Sequence, residues 1–119
     1  MHDSEFITAA DNTLAAIGHA LDAAIEVSDA DVDWTVNEGI LEIDCGEGGK
    51  VIVNRHAPTR QIWVAARSGG FHFAAVGELW RDTRSGDELG TALAALLKAQ
   101  AEVDVAFARL TALPKPAGP

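Results

Sequence analysis

The sequence predicts an α+β fold, a two-layer sandwich with two helices packed on one face of a five- to six-stranded antiparallel sheet. Three observations predict it. From Ser4 to Val27 the apolar side chains recur at helical spacing, and from Val32 to Asp82 short alternating segments are joined by tight turns. Beyond Gly86 helical spacing returns. Two helices with one apolar stripe each, and a sheet with one face to cover, pack most simply as two layers.

The elements follow in order. In the first helix Phe6, Ala10, Leu14, Ile17, Leu21 and Ile25 cover an arc of roughly 100°. Ser28-Asp29-Ala30-Asp31 breaks the period, and Val32, Trp34 and Val36 then alternate with Asp33 and Thr35 as in a strand. Asn37-Glu38-Gly39 turns the chain into Ile40 to Cys45, and Gly46-Glu47-Gly48-Gly49 turns it again. Lys50 to His56, Gln61 to Arg67, Phe71 to Val76 and a short segment from Leu79 to Asp82 complete the meander. Ser85 and Glu88 have capping-box spacing and predict a second helix starting near Gly86. Leu89, Leu93, Leu96, Leu97, Val103, Phe107 and Leu110 form its expected stripe. One domain over residues 1–113 is expected, with 114–119, rich in proline, as a loose tail.

Charge is distributed unevenly. The chain of 119 residues carries a net charge of −9. Twelve Asp and Glu lie between Met1 and Gly49, where Lys and Arg are absent, and all nine basic residues lie from Lys50 onward. Such a field repels nucleic acid and attracts cations or basic protein surfaces. No segment is apolar enough to suggest a bilayer span, and the start lacks the basic and apolar regions of a signal peptide. With one cysteine, Cys45, no internal disulfide is available, and a reducing cytoplasm is the expected compartment.

Asp11, Asp22 and Glu26 fall on one side of the first helix, with His19 beside Asp22, and Asp29, Asp31 and Asp33 follow at its exit. With the first strand at the sheet edge, these residues make one ridge. Carboxylates are hard oxygen ligands suited to Ca²⁺, Mg²⁺, Mn²⁺ and iron. Asp29, Asp31 and Asp33 open like a calcium loop, but the turn glycine and closing glutamate are absent. A solvated acidic face and a weak metal surface are both open readings of this ridge. On the strand from Gln61, alternation places Ile62, Val64 and Ala66 in the core and Gln61, Trp63, Ala65 and Arg67 on the open face. Asn54 and His56 are expected beside Trp63, and an exposed Trp among polar groups suits a protein interface. The glycine turns lack phosphate-loop context, the histidines lack zinc-ligand spacing, and Cys45 suits a small core position. No catalytic set emerges, and no enzyme is expected.

The chain resembles the frataxin family, of the bacterial type, over nearly its whole length. The likeness is strongest across Val53-Asn54-Arg55, Pro58, Gln61-Ile62-Trp63-Val64-Ala65 and Gly69-Gly70-Phe71-His72-Phe73, and again from Trp80 to Asp87. The resemblance implies an iron-binding regulator or iron donor of iron–sulfur cluster assembly. It implies Fe²⁺ or Fe³⁺ held weakly at Asp3, Asp11, Asp22, Asp29, Asp31 and Asp33, with Glu26 a local addition. The implied partners are the cysteine desulfurase, met by Asp22, Asp29 and Asp31, and the scaffold protein, with Asn54, Gln61 and Trp63 on the open sheet face. Gly18, His19, Ala23 and Ala24 stand where the family pattern often carries charge, which brings in His19 as a mixed nitrogen and oxygen ligand. A metal-independent interaction module is the alternative, and a ferroxidase a lesser one, since the latter needs a closed di-iron site. A monomer is the default expectation, with iron-dependent oligomers as the alternative.

Overall fold

The computed structural model describes residues 2–107 and 109–112. The chain runs α1 (Asp3–Ser28), then six strands, β1 (Asp33–Asn37), β2 (Ile40–Asp44), β3 (Lys50–His56), β4 (Gln61–Ala66), β5 (Gly69–Val76) and β6 (Leu79–Asp82), then α2 (Leu89–Ala101). The strands form one sheet in sequence order, every neighbour antiparallel. This is the expected α+β sandwich, with all six strands present. The expected tail at 114–119 lies outside the described residues.

One face of the sheet carries the core. Leu41, Ile43, Val51, Val53, Ile62, Val64, Phe73 and Trp80 are buried there against Phe6, Leu14, Ile17 and Leu21 of α1 and Leu89, Leu93 and Leu97 of α2. Ile62 and Val64 therefore point inward and Trp63 outward, as the alternation predicts. At the centre, the fully buried Trp80 meets Phe6 edge-on at 6.0 Å between ring centroids. Its Nε1–H donates to Thr13 Oγ1 at 2.9 Å, so the one polar atom of the indole is satisfied inside the core.

The second helix differs from expectation at both ends. It starts at Leu89, not near Gly86, and Glu88 is its N-cap rather than the third helical position. The Glu88 carboxylate accepts from Gly90 N at 2.8 Å and Thr91 N at 3.1 Å, while Ser85 Oγ accepts only from Asp87 N. The buried Asp82 explains the displacement. Its Oδ1 accepts from the amides of Arg84 and Ser85, and this holds residues 83–87 in a loop. The helix stops at Ala101 because Glu102 takes a left-handed conformation with φ of 54°. Beyond it Val103 and Val105 are buried while Glu102, Asp104 and Ala106 are exposed, a period of two. Leu110 is buried too, but in an extended segment whose Thr111 bridges Leu79 of β6. The apolar stripe expected to run on to Leu110 is therefore helical only as far as Ala101.

Candidate metal and docking surface

The acidic side chains are positioned by α1 and by its exit into β1. The helix begins with the backbone N–H of His2 donating to Glu5 Oε1 at 2.8 Å, a bond that holds the Glu5 carboxyl below its ordinary range. It ends at Asp29, which adopts φ of 56°, a left-handed conformation that Asp tolerates better than most residues. Ser28 Oγ then accepts from Ala30 N at 3.2 Å and steers the chain toward the edge strand.

The structure divides the expected ridge into two kinds of carboxylate. Asp3 pairs with Arg60, Nε to Oδ1 at 2.8 Å, and Asp11 pairs with Arg55 of β3. Asp22 Oδ1 accepts from Trp34 Nε1 at 2.8 Å. At about 1.5 Å of rise per residue, Asp3 lies about 28 Å along the helix from Asp22 and cannot share an ion with it. Glu26, Asp29, Asp31 and Asp33 are exposed, and among the described residues none of their carboxylates has a hydrogen-bond or ion-pair partner. His19 is exposed one turn from Asp22 and is likewise unpaired. Among the described residues no three His, Cys, Asp or Glu side chains converge into a ready metal-binding group. The corner is a set of open hard-oxygen donors, which suits a hard cation held loosely with much of its hydration.

Gly18, a poor helix residue, has its explanation here. A Cβ at that position would stand 2.6 Å from Trp34 Cη2, so the indole of β1 rests directly on the helix backbone. That contact brings the first strand against α1 and delivers Trp34 Nε1 to Asp22.

On the open sheet face Trp63 stands between two histidines. His56 stacks on it at 3.7 Å between centroids and His72 at 4.3 Å, each 11° from parallel. Asn54 and His72 are its direct cross-strand neighbours, and Gln61 Oε1 accepts from its indole N–H at 2.8 Å. Strand alternation in the sequence places Asn54 and His56 beside Trp63 but does not by itself point to His72. Counting back across the Arg67–Ser68 turn from Ala66 opposite Gly69 would have found it, since that register pairs 63 with 72. Trp34 and Arg55 were missed as well, because their partners lie 12 and 44 positions away.

Cys45 is buried in the core, as expected. Burial pushes its thiol up from the ordinary value of 9.0, and the neighbouring Asp44 charge adds to the effect. Among the described residues no helix is long and apolar enough to cross a membrane.

The Frataxin-like domain matches residues 1–103. The iron-sulfur cluster assembly protein CyaY of Cupriavidus pinatubonensis is 46% identical, over 86% of this chain and 92% of its own length. Its counterpart in Burkholderia mallei is 42% identical, over 90% of this chain and 98% of its own. Among solved structures, frataxin from Psychromonas ingrahamii superposes with a TM-score of 0.75 at 37% identity, over 92% of this chain and all of that one. Trimeric frataxin from Saccharomyces cerevisiae, complexed with ferrous, superposes at 0.69 with 26% identity, over 77% of this chain and 85% of that one. The sandwich, the edge strand against α1 and the match over nearly its whole length make this chain a member of the frataxin-like family.

Proposed function

We propose that this chain serves iron–sulfur cluster assembly as an iron-binding regulator or iron donor, acting in the cytoplasm as a single domain over residues 1–113. The relatives named for that assembly support the role, and the yeast frataxin complexed with ferrous supports iron as the cargo. The observation that carries the assignment is the corner where the carboxylates of Glu26, Asp29, Asp31 and Asp33 stand exposed and, among the described residues, unpaired while Asp3 and Asp11 are neutralised by arginines. Fe²⁺ or Fe³⁺ binds there weakly, through open carboxylates with Asp22 and His19 at the margin. The same corner docks on a basic surface of the cysteine desulfurase. Asn54, Gln61 and Trp63 on the open face meet the desulfurase–scaffold assembly, and the protein carries no catalytic step of its own.

An anaerobic Fe²⁺ titration followed by amide NMR tests the iron site. Shifts confined to residues 19–35, and abolished by the combined Asp29→Ala, Asp31→Ala and Asp33→Ala changes, are expected. The absence of any shift at sub-millimolar iron would remove iron from the assignment. A second reading, a docking module in which the corner acts as charge alone, is favoured by the lack of convergence of any three ligands among the described residues. It predicts desulfurase binding that weakens with salt and ignores metal.

A further inference from the structure

The two edges of the sheet are treated differently. The β6 edge is closed, since Leu79 bridges Thr111 and Arg81 bridges Glu88. Among the described residues the β1 edge has no such cover. Asp33, Thr35, Val36 and Asn37 are exposed, and among the described residues no backbone hydrogen bond reaches β1 from outside its pairing with β2. Half of the backbone N–H and C=O groups of such a strand point to solvent, a template for one more strand.

Beside this edge runs a groove between α1 and the β1–β2 hairpin, lined by Asp11, Leu14, Ala15, Val36, Gly39 and Arg55. Val36 is 50% exposed into it, a large apolar side chain left half in water. Side chains of β1 alternate, with Trp34 and Val36 on the helix side and Asp33 and Thr35 on the open side. An incoming strand would therefore meet apolar surface at Trp34 and Val36 on the helix side, and Asp33 followed by the neutral Thr35 and Asn37 on the open side.

Charge selects the occupant. A second copy of this chain pairing edge to edge would set Asp29, Asp31 and Asp33 against another acidic N-terminal half, in which Lys and Arg are absent up to Gly49. Like charges placed opposite one another oppose that pairing, whereas an alternating basic and apolar segment sets its apolar side against Trp34 and Val36 and its cations toward Asp33 and the Asp29 and Asp31 that precede the strand.

We propose that β1 accepts an extended segment of a basic partner, with Lys or Arg alternating with apolar residues, as a seventh strand. The inference rests on the docking reading above and adds to it a backbone-mediated mode. The test uses the peptide acetyl-Lys-Val-Lys-Val-Arg-Val-Lys-amide and a version N-methylated at alternate residues, which keeps the charge and side chains but loses backbone donors. Binding is followed by NMR shifts and by amide exchange of β1. The expected result is binding by the first peptide with at least tenfold slower exchange at the solvent-facing β1 amides, and at least tenfold weaker binding by the N-methylated version. Equal binding by both, with β1 exchange unchanged, would overturn strand addition and leave the acidic docking surface standing. Failure of both peptides to bind would overturn the two together.

Discussion

Gly18→Ala offers a sharp test of how the acidic corner is held, because two effects of opposite sign meet at one methyl group. Alanine gains about 1 kcal/mol over glycine in a helix interior. Against this, the new Cβ would stand 2.6, 2.9 and 3.0 Å from three atoms of the Trp34 ring. The ring must move, and overpacking of this kind costs about 1–3 kcal/mol. Moving it also strains the 2.8 Å bond from Trp34 Nε1 to Asp22, a further 0.5–1.5 kcal/mol or so if lost. The net expectation is destabilisation by about 1–2 kcal/mol, or a melting temperature lower by roughly 4–8 °C. In a Trp34→Ala background nothing is left to clash with, and the same substitution should stabilise by up to about 1 kcal/mol. Urea denaturation of the four proteins in this cycle gives a coupling of about 2–3 kcal/mol if the contact is as described. Equal stabilisation in both backgrounds would refute the contact, and with it the account of how β1 is fastened to α1.

Other outcomes follow from the same contacts. Trp80→Phe removes the donor to Thr13 and leaves a void in the core, and should cost about 2–3 kcal/mol by urea denaturation; a loss below about 0.5 kcal/mol would contradict the burial of that ring. Glu88→Ala, which strips the cap from two amides of α2, should cost about 1 kcal/mol, while Ser85→Ala should cost much less because Ser85 does not cap the helix. The Cys45 thiol is held above its ordinary value of 9.0 by burial, so the folded state binds its proton more tightly than the unfolded state. Its contribution is fully present below that ordinary value and is lost as pH rises through the folded one. Urea midpoints should accordingly fall more steeply above pH 9 in the native chain than in Cys45→Ala, and identical profiles would show an unperturbed thiol.

Much of the fold was legible because periodicity is a local property. The stripe from Phe6 to Ile25, the alternation around Trp63 and the turn at Asn37-Glu38-Gly39 each report their element from a few neighbouring residues. Local spacing misleads where another residue intervenes. Ser85 and Glu88 have capping-box spacing, yet Asp82 claims the amides of Arg84 and Ser85 and moves the helix start three residues on. The stripe through Val103 to Leu110 looked helical because its residues are apolar and buried, yet the left-handed Glu102 ends the helix before them and Val103 and Val105 are buried with a period of two.

The sequence by itself determined the α+β class, an antiparallel meander of five to six strands, the outward face of Trp63 and the concentration of acid in the first half of the chain. Only the tertiary structure decided which of those acids stay free. Arg60, Arg55 and Trp34 reach Asp3, Asp11 and Asp22 from positions 57, 44 and 12 residues away, and they leave Glu26, Asp29, Asp31 and Asp33 facing water. Charge counts are properties of a sequence. Pairing is decided by which donors the packed layers bring within about 3 Å, and that distance exists only once helix and sheet have met.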